Sequence, residues 1–427
     1  MARRVPVLVL ALAVVGALAM PAAAQTKLQF YYPVGVAGPL ARIIEGYVKE
    51  FNQSHPAIQV EPVFSGNYTE SYSKILAAIR GGNPPDTAIM LSQNLNDILQ
   101  QDIVVPLDEY IQADAAQVNI QDFFPAFMLN SQQGGKTWSI PFQRSTPVMY
   151  YNKEAFKEAG LDPAKPPQSW TEMISMAQKL TKRDASGRVS RWGLVIPSGG
   201  TVDTWLFEAL TIAAGGLLYD ANNNCCKVLF NTPPVEAALQ LLRDLGGKHQ
   251  VSPPGPIDWG TAPNDFAAGK TAMMYHSTGS LTFVRTNAPF EFGTAFLPKK
   301  ERFGAPTGGG NFYLFKATPP DRKKAAWEFA KWMTSTDLLA RWSIDSGYVA
   351  PRKSSWETPR MKEYTAKYPQ ALTARDQLPY ALAELPVKNI IEVKRAIVNA
   401  YQTALTTTQP LKEIQAEGQK RVDEILK

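Results

Sequence analysis

Three histidines (His55, His249, His276) and two adjacent cysteines (Cys225, Cys226) are the whole supply of soft metal ligands in the sequence. That is too few for a multi-Cys or multi-His centre, so no metal site is expected. A bridge between neighbouring cysteines closes a strained ring, so the pair in ANNNCC reads as two thiols or a vicinal disulfide in a polar turn, with no redox role. No G-x-S-x-G elbow is present, and the GKT at Gly269 has Asn264 where a phosphate-cradling loop needs its first glycine. Neither serine hydrolysis nor nucleotide binding therefore finds its motif. The 38 Asp and Glu residues leave a glycosidase pair open by number alone.

These residues sit in a chain of 427, of which 45% are hydrophobic, too long for one ordinary core and too apolar for disorder. Two lobes are expected. The net charge of +6 is spread along the chain without a Lys/Arg block, so nucleic acid is not an expected partner. Arg3 and Arg4 precede an apolar run from Val5 to Met20, and Pro21 with Ala22, Ala23 and Ala24 leads to Gln25, the three-part pattern of a secretory signal. The run is about 16 residues, short of the roughly 20 that a spanning helix needs. Cleavage is predicted after Ala24, by Sec export in preference to a twin-arginine route. Removing 24 of 427 residues leaves 403, and losing the two arginines takes +6 to +4.

In the mature chain, KLQFYYP reads as a strand, and Leu40, Ile43, Ile44, Tyr47, Val48 and Phe51 fall on one face of a helix. AIQVEPVF, SYSKILAAIR closed by Gly81 and Gly82, and TAIML continue the alternation. Strand, helix, strand, helix, strand predicts a parallel sheet wrapped by helices, with ligands outside the carboxyl ends of its strands, at YYPVGVAG, SGNYTE and LSQN. A second set follows: PVMYYN, the helix TEMISMAQKL after Ser169 and Trp170, RWGLVIP, the helix from Trp205 to Ala214, VEAALQLLRDL and KTAMMYH. The final third is largely helical. No stretch has linker composition, so the lobes must be joined by crossing segments, a design suited to a hinged cleft.

Taken in order, FNQSHPAIQVE, SGNYTE, AAIRGGNPPDTAIM, PFQRSTPVMYYNKEAFKEAGLDP with SWTEM, FAAGKTAMMYHSTGSL, GGGNFYLF, WEFAKWMTS and SGYVAPRKSSW resemble the extracellular solute-binding proteins of ABC importers, in the group that includes periplasmic sugar and glycerol-3-phosphate binders. The resemblance implies an α/β, two-lobed periplasmic-binding-protein fold (type II-like) with the ligand cleft between lobes joined by crossing segments. It implies lobe 1 over 25–143 and about 278–325, and lobe 2 over about 144–277 and 326–427, after a signal peptide of 1–24. It further implies a periplasmic monomer without cofactor or catalysis, whose partners are a small-molecule ligand and an ABC permease in the inner membrane.

By resemblance to the glycerol-phosphate binders of that group, Tyr68, Ser145, Ser277, Gly310 and Tyr348 fall on ligand-contacting positions. The chemistry agrees: the tyrosines offer a phenol on an apolar plate suited to a polyol, the serines offer hydroxyls, and Gly310 lets a backbone N–H approach an oxyanion. Two positions depart from the pattern. The acidic cleft residue after the third strand is Ser92 here, and the cleft arginine near the C-terminus falls near Lys394, with Arg395 next to it. Arginine grips phosphate through a planar fork and lysine as a point charge, and on a helix the two side chains point about 100° apart, so only one can enter the site. Arg144 is an extra cation beside Ser145, Trp205 a candidate platform for a pyranose face, and His276 a donor beside Ser277. Trp327 and Trp332 read as core. The expected cargo is sn-glycerol 3-phosphate or a glycerophosphodiester, with a neutral mono- or oligosaccharide as the alternative and an exported glycoside-acting enzyme as the alternative of another class.

Overall fold

The computed structural model describes residues 25–222 and 226–427. The export signal with its expected cleavage after Ala24, and Cys225, lie outside them, while Cys226 is disulfide-bonded. The first elements are β1 (Thr26–Tyr32), α1 (Leu40–Ser54), β2 (Ile58–Phe64), α2 (Tyr68–Arg80) and β3 (Thr87–Leu91), in the expected alternation. α1 buries Leu40, Ile44, Tyr47, Val48 and Phe51 as its periodicity requires. α2 begins at a capping box in which Asn67 accepts from the N–H groups of Thr69 and Glu70 while Glu70 accepts from the N–H of Asn67. That box fixes where Tyr68 leaves the end of β2.

The chain continues through β4 (Ile140–Ser145), β5 (Pro147–Asn152), α3 (Trp170–Leu180), α4 (Thr204–Ala213), α5 (Pro233–Gly246), β6 (Met273–Ser277), β7 (Phe292–Ala295) and β8 (Gly308–Leu314). It ends with α6 (Pro320–Met333), α7 (Thr336–Ser346), α8 (Ile390–Thr406) and α9 (Leu411–Leu426). A five-stranded sheet has the order β2-β1-β3-β8-β4 and a second, three-stranded sheet the order β6-β5-β7. The parallel expectation holds for β2-β1-β3 only. β8 runs antiparallel to both β3 and β4, and the second sheet is antiparallel throughout, because the chain returns between the sheets instead of winding around one of them. RWGLVIP is not a continuous strand: Trp192 and Val195 make single bridges to Thr271 and Met274.

β4 and β5 belong to different sheets and are separated by Thr146 alone, so the chain crosses there. It crosses back between β7 and β8, and a third time after Ala381–Leu382, which pairs with Ala305–Pro306. Two expected boundaries change. Residues 292–295 pair with β5 and so stay with the three-stranded sheet beyond 278. Residues 326–346 pack on the five-stranded sheet, where Phe329 meets Phe30 edge-on at 5.0 Å and Trp342 stacks on Phe142 at 5.1 Å. α8 and α9 then pack with α4 and α5 against the other sheet. All ten residues of α4 are buried, which matches a helix that is apolar nearly all round. Among the described residues no helix is long and apolar enough to cross a membrane.

Candidate ligand-binding site

Side chains from both sheets and from the crossing segments converge on one cavity of about 70 Å³, counted at the centres of the waters it would hold. Tyr68 opens α2, Ser145 ends β4, Ser277 ends β6, Trp205 lies in the first turn of α4, Tyr348 follows the end of α7, and Lys394 projects from α8; all six line this cavity. Parallel and crossing strands deliver their ends to the same place, so residues far apart in sequence meet there.

Glycines shape one wall. A Cβ on Gly308 would come within 2.7 Å of the Trp205 ring, and Gly309 has φ +93° with room for no side chain against the carbonyl of Gln143. The wall is therefore backbone, and Trp205 lies against it with Nε1 donating to the Thr307 carbonyl (3.1 Å). Trp259 also lines the cavity. Its ring stands 6.3 Å from that of Trp205 and 3.9 Å from His276, and its Nε1 donates across the cleft to the Gly35 carbonyl (3.1 Å).

Four expected contacts do not line the cavity. Ser92 is fully buried at the end of β3. Arg144 neighbours Ser145 on a strand and so points to the opposite face. It lies fully buried behind the glycine wall, donating to Asn311 Oδ1 and Thr307 Oγ1 (3.1 Å each), with the Phe127 ring at 5.1 Å. Gly310 sits one residue beyond the wall, with the Tyr68 ring close to where its Cβ would be. Arg395 is exposed, and Lys394 is the member of the pair that turns inward. His276 is buried beneath Trp259, bonded to the Trp259 carbonyl (3.2 Å) and to Ser280 Oγ (2.9 Å), and burial lowers its pKa to about 4.

The sequence reading did not single out Trp259, Glu384, Gly308, Gly309 or the Thr201–Val202 rim. An indole in the Pro- and Gly-rich PPGPIDWGT, and the doubled glycine before Gly310, were signals of the kind it used elsewhere. Glu384, in the irregular ALAELP, had none.

The cavity floor is a charge cluster. Lys394 Nζ stands 3.6 Å from Glu384 Oε1. Burial raises the Glu384 carboxyl above its ordinary range, and Lys394 and Arg144 oppose that rise. Glu208, on α4, is pushed well above the usual carboxylate range by burial and by Glu384. Arg144 is brought down by burial to about 10 and stays cationic. Lys394 is thus the cation that lines the cavity beside Glu384, while Arg144 and Glu208 lie behind the lining. Burial raises Tyr68 well above the ordinary phenol and Tyr348 to about 12, so both remain neutral donors; the Tyr68 hydroxyl donates to Gln143 Oε1 (3.0 Å). Among the described residues no group of three or more His, Cys, Asp or Glu could hold a metal ion. The cavity thus presents hydroxyls, indole rings and one ion pair between the two sheets.

Comparisons with known proteins agree with this architecture. The chain is 28% identical over 408 residues to the sn-glycerol-3-phosphate-binding periplasmic protein UgpB of Yersinia pestis bv. Antiqua (strain Antiqua), covering 91% of this chain and 90% of the relative. It is 28% identical over 370 residues to UgpB of Salmonella typhimurium, covering 84% and 81%. Among solved structures, UgpB from Mycobacterium tuberculosis in complex with glycerophosphocholine aligns with a TM-score of 0.80 at 24% identity, covering 94% of this chain and 98% of that one. Maltose-bound MalE3 of T. maritima aligns at 0.81 and 23%, covering 93% and 99%. The fold is thus the two-lobed α/β fold of periplasmic binding proteins, and the relatives are solute-binding proteins by name. The family model for the bacterial extracellular solute-binding protein matches residues 46–370, and the chain belongs to that family.

Proposed function

We propose that this protein is the periplasmic, monomeric solute-binding component of an ABC importer, and that it captures sn-glycerol 3-phosphate or a glycerophosphodiester and delivers it to the membrane permease. The observation that carries the cargo is the Lys394 ammonium beside Glu384 within a ring of hydroxyls from Ser145, Ser277, Tyr68 and Tyr348. Size supports a small solute. At about 10–15 Å³ per water centre the cavity holds roughly five waters, near the bulk of a glycerol phosphate and short of an oligosaccharide. A ligand that touches both lobes favours the closed state by its differential affinity, and a permease that reads closure needs nothing further.

Binding of a neutral sugar is the second reading, favoured by the Trp205 and Trp259 pair at the cavity wall. Thermal unfolding against glycerol 3-phosphate, glycerophosphocholine, glycerol and maltose separates the two. A ligand at 100 times its Kd stabilises the fold by about 2.7 kcal/mol, so the phosphates are expected to raise the Tm and glycerol and maltose to leave it unchanged. A shift with maltose alone overturns the phosphate cargo. Ser145→Ala is expected to weaken phosphate binding by about 1–3 kcal/mol, and unchanged affinity removes Ser145 from the site.

A further inference from the structure

Glu384 is only 2% exposed, yet it lines the cavity. Its backbone is clamped by one side chain: the Glu384 N–H donates to Asn130 Oδ1 (3.0 Å), and Asn130 Nδ2 donates to the Glu384 carbonyl (3.1 Å). The next N–H, of Leu385, donates to Glu208 Oε2 (3.2 Å). The carboxylate itself is half satisfied. Oε1 stands 3.6 Å from Lys394 Nζ, while Oε2 is buried with no hydrogen-bond partner among the described residues. Leaving a buried carboxylate oxygen without a donor costs more than an ordinary hydrogen bond returns. Glu384 lines the cavity and keeps one oxygen without a donor, an acceptor that a hydroxyl arriving with the ligand can satisfy.

The surroundings say what kind of donor. Lys394 and Arg144 already supply cations to this carboxylate, and the other polar side chains around the cavity, Ser145, Ser277, Tyr68 and Tyr348, are hydroxyls that suit a polyol. The geometry points to Glu384 as the residue that selects hydroxylated cargo, Oε2 accepting a hydrogen bond from a hydroxyl of the glycerol or polyol part of the solute. The assignment rests on reading this cavity as the solute site, and it does not require that the solute carry a phosphate.

Titration calorimetry of the protein and of Glu384→Gln, with sn-glycerol 3-phosphate and n-propyl phosphate, tests it, because the second probe keeps the phosphate and lacks both hydroxyls. Glu384→Gln is expected to weaken glycerol phosphate binding by about 10- to 100-fold and propyl phosphate binding by less than about threefold, the difference made by one charge-assisted hydrogen bond. Equal losses for the two probes, or no loss for glycerol phosphate, overturn the assignment. Glu384→Asp keeps the charge beside Lys394 and withdraws the oxygen by one methylene, so the same selective loss is expected; affinity equal to the parent's overturns the contact. Circular dichroism and the Tm report whether both variants fold, which the backbone clamp on Asn130 favours. If the protein takes ribitol or maltose and neither phosphate, the glycerol phosphate reading falls, and Glu384 is judged by the same selective loss on that polyol against its deoxy analogue.

Discussion

Ser145, Gly308 and Glu384 reach the cavity from the segments that pass between the sheets, whereas Gly35 and Tyr68 reach it from one lobe and Trp205, Trp259 and Lys394 from the other. The first group is fixed by main-chain bonds: Ser145 is in register with Gly308, and Glu384 is clamped by Asn130. The second group meets across the cleft through side chains, as in the bond from Trp259 to Gly35. Groups on the crossings keep their geometry whether the lobes are apart or together, and can hold a solute first; contacts between lobes form only on closing. On the proposed reading, the crossings supply contacts that do not depend on closure, and Lys394, Tyr68 and Trp205 add theirs when the lobes meet.

Lys394→Met tests the floor and carries the largest expected effect. It leaves Glu384 buried without its ion-pair partner, a change worth about 3–5 kcal/mol when one member of a buried pair is removed. Calorimetry and thermal unfolding should show a lower Tm together with loss of phosphate binding; phosphate affinity equal to the parent's places the cargo charge elsewhere. Trp259→Phe tests the closure group. It keeps a ring between His276 and Trp205 and removes the N–H that reaches Gly35, costing about 1 kcal/mol. The expected result is roughly fivefold weaker binding of every ligand alike, and a loss confined to one ligand makes Trp259 a solute contact instead of a latch.

The smallest effect concerns the rim. Asp203 Oδ2 accepts from the Gly200 N–H (2.6 Å) and so holds the turn that presents Thr201 and Val202. Burial, with Asp258 adding to it and Lys394 opposing it, raises Asp203 to about 7. A carboxyl whose folded pKa lies above its unfolded value binds protons more readily when folded, so its contribution to stability falls as pH rises from about 4 to about 7. Asp203→Asn keeps an acceptor and removes the titration, and its Tm relative to the parent should improve from about pH 5 to about pH 8. His276 acts in the opposite sense: with a folded value of about 4 it loses stability as pH falls below about 6.5. An Asp203→Asn difference that does not change with pH removes Asp203 from this account.

The alternation from Thr26 to Leu91 is legible because its helices and strands are amphipathic with clear periods, while the positions that line the cavity, Tyr68, Ser145, Ser277 and Tyr348 among them, are reached through the family resemblance and not through periodicity. Helical spacing also required that only one of Lys394 and Arg395 turn inward. Arg144 was misplaced although strand alternation forbids it the face of Ser145. The position of β8 between β3 and β4 could not be read, since strand pairing across two hundred residues leaves no local periodicity. Glu384 and Trp259 lie in irregular segments, where neither period nor motif assigns a direction, and Ser92 carries no sign that it ends beneath the surface.

The interior place of Gly308–Leu314 in the first sheet has a consequence for how the chain acquires its structure. A polypeptide made from its N-terminus has β1, β2, β3 and β4 to hand long before the strand that must join β3 to β4 exists. Until residue 314 is available β3 and β4 lack the strand that joins them and their half of the cleft has no glycine wall, so completion of the sheet awaits a late, non-local pairing. The first sheet therefore cannot be complete until about three-quarters of the chain has been made.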